Sequence, residues 1–206
     1  MKTQLKALTA AMGLGLALAS GSAMAESTYG YNATTPASAV TATAKLQISV
    51  NIPKLILLRV GSAGATVDDV VFTATPNVQT VPGPLSTNGD SQAATWDGVA
   101  PTFAATTAST NPVHAYLWHN ASGGATLSCA VSTAFANGLT AADVTVSSSG
   151  ALAHPGGATD CGTPTTGLVR NTLFTGDWTF DVSSTGMAAA AAGADFEVVT
   201  YTAVTL

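Results

Sequence analysis

Ala42-Thr43-Ala44-Lys45-Leu46-Gln47-Ile48-Ser49-Val50-Asn51-Ile52 puts an aliphatic side chain at every even position and a polar one at every odd position. Eleven residues with a period of two send one apolar row to a single face of an extended chain, the signature of a half-buried strand. An α-helix would scatter the same side chains around its axis. Pro53 ends or bends the run. Leu55 to Val60 is apolar on both parities and reads as a second strand, buried on both faces, with a turn over 61–65.

Downstream the same grammar repeats. Val70-Val71-Phe72 makes a short strand behind Asp68-Asp69, and residues 78–90, with Pro82, Gly83, Pro84, Asn88 and Gly89, form a loop. Ala93 to Trp96 is a short strand closed by Asp97-Gly98. Val113, Ala115 and Leu117 face one way, and His114, Tyr116 and Trp118 the other. Residues 120–124 turn the chain into a return strand with Leu127, Cys129 and Val131 in one row, a hairpin. Val144 and Val146 mark a strand, residues 147–167 a Gly- and Pro-rich loop, and Trp178, Phe180 and Val182 another strand. Residues 187–194 read as one helical turn or a plain loop. The last strand, Phe196 to Leu206, has Phe196, Val198, Val204 and Leu206 on one face and Val199, Tyr201 and Ala203 on the other. Short strands about ten residues apart predict an all-β, immunoglobulin-like sandwich of antiparallel strands, with a closed β-barrel as the alternative. The strands are too short and too few for a membrane barrel.

Upstream of the alternating run, Lys2 and Lys6 precede an apolar stretch from Ala7 to Ala19, and Ala23-Met24-Ala25 follows. That is the layout of a secretory signal with its cleavage site. The expected organisation is a signal peptide over 1–25, a flexible leader over 26–41 and one sandwich domain over 42–206. The destination is the periplasm, the cell surface or the extracellular space, with no membrane insertion after cleavage. The mature chain of 181 residues would keep four basic residues, Lys45, Lys54, Arg59 and Arg170, against eleven acidic ones, a net charge of −7. Such a surface argues against nucleic acid and anionic membranes as partners. Charged residues make up only 8% of the chain, well below the roughly 25% of ordinary soluble domains. Low self-repulsion of this kind favours association.

Two cysteines in an exported chain, Cys129 and Cys161, read as one disulfide. No catalytic constellation emerges, because there is no G-x-S-x-G elbow. His114 and His119, five residues apart, fall on opposite faces of a strand and make poor joint ligands. All three histidines, His154 included, read as partly buried surface residues. Asp68-Asp69 lacks the spaced oxygens of a calcium loop. Trp96, Tyr116, Trp118 and Trp178 could stack on a sugar, but core packing is the favoured reading. The expectation is no enzyme, no cofactor and no metal.

Taken together, export, low charge, a Thr/Ala/Ser/Gly-rich composition, one cysteine pair and an alternating C-terminal strand resemble the subunits of bacterial fimbriae assembled by a periplasmic chaperone and an outer-membrane usher. That family carries a glycine fourteen residues from the end, where Gly193 stands, followed by alternation through Phe196, Val198, Thr200, Thr202, Val204 and Leu206. It also carries a penultimate tyrosine, whereas position 205 is Thr205 and the tyrosine is Tyr201. The resemblance implies donor-strand assembly, in which a neighbour's extended segment completes an open sandwich. It names two partners, another copy of the chain and a periplasmic chaperone. Leu46, Ile48, Val50 and Ile52 would be the donor residues. The competing reading, favoured here because the run lies far from the cleavage site, makes them the first strand of a complete sandwich. Both end strands would then bury one face, with Ile48 and Val198 in the buried rows. The expected function is a structural subunit of a surface filament or extracellular matrix; the alternative is a monomeric secreted module that binds glycans or proteins.

Overall fold

Among the described residues there are nine strands, all paired antiparallel: β1 (Ile56–Val60), β2 (Phe72–Asn77), β3 (Thr102–Thr107), β4 (Val113–His119), β5 (Ala125–Thr133), β6 (Val144–Gly150), β7 (Thr165–Leu168), β8 (Phe174–Val182) and β9 (Val198–Thr205). A short α-helix, α1 (Ser184–Ala189), starts on Ser183, whose side chain accepts a hydrogen bond from Gly186 N–H. The computed structural model describes residues 27–33, 39–78, 85, 88–93, 95–107 and 111–206. The stretch expected to be a signal peptide, 1–25, lies outside the described residues, and the chain divides into two units, Met1–Ile52 and Pro53–Leu206.

In the first unit the described residues form neither helix nor strand and are exposed. Thr28 Oγ1 donates to the Thr43 carbonyl at 2.6 Å. The strand expected over 42–52 is therefore not formed within this chain, and the folded domain begins at Pro53 rather than at residue 42.

The second unit is an all-β sandwich, not a closed barrel. One sheet has the order β1-β4-β8-β6, the other β7-β5-β9, and β2 and β3 form a separate two-stranded ribbon. Alternation explains the layers. β4 turns Val113, Ala115, Leu117 and His119 inward and exposes or half-buries the residues between them. Ala115, Leu117, Ala125, Leu127, Val146, Leu152, Leu168 and Trp178 make the shared core. Trp178, Leu117 and Leu127 have no solvent exposure at all. Trp178 also has a polar anchor, its indole N–H donating to the Leu152 carbonyl at 2.9 Å. That anchor requires Gly176 on β8, because a Cβ there would run into the Leu152 oxygen.

Several expectations need correction. Leu55 to Val60 is not buried on both faces: Ile56, Leu58 and Val60 pack on the core while Leu57 and Arg59 are exposed. The described residues of 93–96 form no strand. β3 and β7 arise in stretches rich in Thr, Ala and Gly, with Phe103 and Leu168 as their only large apolar residues, where no alternation shows. In the last strand the inward row is Tyr201 and Ala203. Phe196, Val204 and Leu206 are exposed, so the row that contains Val198 is the outer one.

Candidate functional site

Two features of this chain stand out physically. The first is the run from Leu46 to Ile52. Leu46, Ile48, Val50 and Ile52 are 83%, 79%, 78% and 75% exposed. Four large aliphatic side chains in one row, all in water, form an apolar patch of the kind that marks an interaction site.

The second is the treatment of the sheet edges. An edge strand leaves its outer N–H and C=O groups unpaired, so folded proteins cover or shorten it. β6 is covered: Val146 N–H donates to the Gly157 carbonyl at 2.8 Å, and Thr159 N–H to the Val144 carbonyl at 3.0 Å. β7 is only four residues long. Among the described residues β1 pairs only with β4, and β9 only with β5, along eight residues. These two uncovered edges approach one another across the sandwich. The inward residues that flank them, Ile56, Leu58, Val60, Tyr201 and Ala203, pack on the core yet remain only partly buried. The central strands β4 and β5 bury theirs completely at Ala115, Leu117 and Leu127. On the side where β1 and β9 meet, the inward residues are thus only partly covered.

Beneath β9 lies a buried polar cluster. His154 is 4% exposed, not a surface histidine as expected. Its Nδ1–H donates to the Gly156 carbonyl at 3.0 Å, which leaves Nε2 to accept from the Tyr201 hydroxyl at 2.9 Å. The imidazole stands edge-on to Trp178, with ring centroids 4.9 Å apart. Burial holds its pKa below the ordinary histidine value. Burial, with Glu197 nearby, raises that of Tyr201. Glu197 has a buried Oε2 without a hydrogen-bond partner, and burial followed by the charge of Asp160 pushes its carboxyl upward despite a bond from Thr159. The Cys129–Cys161 disulfide, Cα atoms 5.5 Å apart, ties β5 to the loop that carries His154.

The other sequence candidates have structural roles. His119 is buried; its Nε2–H donates to the Leu168 carbonyl, and Ala121 N–H donates to its Nδ1. His114 is exposed and pairs with Asp177 at 2.5 Å. Asp68 accepts from the backbone and hydroxyl of Ser62, which lower its pKa and close the 61–68 turn. Gly193 occupies a loop ahead of β9 at φ 150°, beside Asn137, and is not part of the strand. Of the four aromatic candidates only Trp178 is core. Trp96 is exposed, and Tyr116 and Trp118 are half-buried on the outer face of β4. There Arg59 stacks 4.0 Å above the Tyr116 ring, in a shallow groove of about 290 Å³ with Leu57 and Leu173. Among the described residues no group of three or more His, Cys, Asp or Glu side chains could hold a metal ion, and no helix is long and apolar enough to cross a membrane.

The chain matches no protein-family model, no curated protein and no solved structure.

Proposed function

We propose that this chain is an exported, non-enzymatic structural subunit that assembles into a surface filament or matrix. Residues 42–52 of one copy add as a strand to the β1–β9 seam of the next. The observation that carries this reading is the exposure of Leu46, Ile48, Val50 and Ile52 in a row that only a sheet face can bury. Burying four such side chains is worth roughly 6–12 kcal/mol in gross transfer free energy. β-Augmentation supplies main-chain hydrogen bonds from the acceptor edge, and pockets for alternate side chains supply the register. The disulfide suits export, and the low charge suits close packing of copies.

The test is the size distribution of chain purified after export, with and without a synthetic peptide of residues 42–52. Concentration-dependent oligomers that the peptide dissolves are expected. A monomer at every concentration would overturn the proposal.

The groove on the outer face of β4 favours a second reading, a monomeric module that binds a glycan or a protein through Tyr116 and Trp118. A monomeric chain whose tryptophan emission shifts on adding oligosaccharide would support it.

A further inference from the structure

The outer face of the β1-β4-β8-β6 sheet carries an aromatic and apolar block at one end. Alternation sends Leu57 and Arg59 outward from β1, and Tyr116 and Trp118 outward from β4. The register sets Leu57 beside Trp118 and Arg59 beside Tyr116, so the four side chains share one surface. Exposed Leu173, just ahead of β8, borders the groove above them. Half-buried Trp and Tyr rings on an open face offer flat apolar area with a polar edge.

Charge is unevenly spread around this block. The unit from Pro53 to Leu206 has only three Lys or Arg residues, Lys54, Arg59 and Arg170. Arg59 lines the groove itself. Lys54 and Arg170 stand at the Trp118 end of β4: Leu55 N–H donates to Asn120 Oδ1, and Asn171 N–H donates to the His119 carbonyl. Asp143 and Asp181 lie at the far end of the sheet, where Thr145 pairs with Asp181 and Val144 with Val182. The acid between them and the block, Asp177, is paired with His114. Among the described residues no acidic side chain is ion-paired with Arg59. Its guanidinium is stacked 4.0 Å above the Tyr116 ring, an arrangement that holds the plane of a fork suited to a carboxylate.

We propose that this block binds a carboxylated glycan, with one sugar ring on Trp118 and its carboxylate on Arg59. A sheet face presents side chains and no main-chain partners. An acidic peptide laid across it would gain none of the backbone hydrogen bonds that hold peptides at sheet edges. A sugar packs its C–H face on an aromatic ring and keeps its hydroxyls for water and for side chains such as Thr175, level with Tyr116 on β8. The inference rests on the groove-binding reading above and names its ligand.

The experiment is calorimetric titration of the full-length exported chain with an oligogalacturonate, with the same oligosaccharide methyl-esterified, and with an oligoglutamate peptide. The oligogalacturonate should bind about tenfold more tightly than its ester, or better, because only it offers a charge-assisted pair. Added salt should narrow that gap. Arg59→Gln, a change at an exposed side chain, should bring the oligogalacturonate down to the affinity of the ester. Trp118→Ala should remove binding of both with an unchanged circular dichroism spectrum; the ester comparison and Arg59→Gln decide the matter even if that variant fails to fold. Equal affinity for acid and ester, or an Arg59→Gln chain that still distinguishes them, would overturn the carboxylate assignment and leave the groove reading intact. An oligoglutamate that binds as tightly as the oligogalacturonate would overturn the glycan. No binding of any of the three up to about 10 mM would overturn both the inference and the groove reading.

Discussion

The Tyr201 hydroxyl donates to His154 Nε2 across 2.9 Å, joining the inward face of β9 to a loop that the disulfide anchors on β5. The bond requires a neutral imidazole, since Nδ1–H is spent on the Gly156 carbonyl. A protonated ring would present two donors, so the Tyr201 hydroxyl would have to turn and accept from Nε2–H in place of donating.

That geometry sets a pH dependence. Burial lowers the folded-state pKa of His154, so near pH 6.5 the unfolded chain takes up the proton first. Stability from this group is present above about pH 6.5 and is lost as pH falls below it, no faster than about 1.4 kcal/mol per pH unit. Glu197 works in the opposite sense. Its raised folded-state pKa makes the folded chain bind the proton first, so it offsets part of the loss on acidification. Thermal melts between pH 7.5 and 5.5 should show a falling Tm. Asn in place of His154 should flatten the slope. An unchanged slope in His154→Asn would show that another group titrates.

The disulfide closes a loop of 31 intervening residues. In the chain-entropy account such a loop contributes about 3.5 kcal/mol. Replacing both cysteines by serine should lower Tm by on the order of 10 °C at fixed pH. The His154–Tyr201 contact should loosen with it, visible as faster hydrogen exchange at Tyr201. A double variant that melts with the wild type would refute this.

Gly176 offers a sharper test of the core. Its Cα lies against the Leu152 carbonyl that receives the Trp178 indole N–H. Gly176→Ala must push that backbone away and strand the indole in the core. A cost of about 2–4 kcal/mol is expected from overpacking and an unmade buried hydrogen bond. Calorimetry would detect it, and a change under about 0.5 kcal/mol would contradict the packing described.

What could be read in the sequence was what alternation reports. The two faces of β4, the inward row of β5 and the pairing of the only two cysteines are found as expected. β1 misled because Leu57 is as apolar as its inward neighbours, although it lies on an exposed face beside Trp118. β3 and β7 each carry one large apolar residue, Phe103 and Leu168, among Thr, Ala and Gly, too little for an alternation to show. His154 was illegible because a residue eleven positions before a short strand gives no local hint that the loop folds inward onto Trp178. The hardest case is residues 42–52. Period two states which face a strand would bury; it does not state whether the burying partner belongs to the same chain. The same holds for the edges of β1 and β9, where openness depends on which strands are missing.

The central claim is that Leu46, Ile48, Val50 and Ile52 serve a neighbouring copy and not their own fold. One substitution tests it most directly. Ile48 is 79% exposed and belongs to no sheet of its own chain. In the exported full-length chain, Ile48→Asp should leave the circular dichroism spectrum unchanged and the monomer's Tm within about 2 °C of the wild type. It should at the same time abolish the oligomers seen by light scattering, because a carboxylate cannot enter an apolar seam without a partner. A variant that unfolds would place Ile48 in the core of its own domain, and one that folds and still assembles would exclude residues 42–52 as the donor.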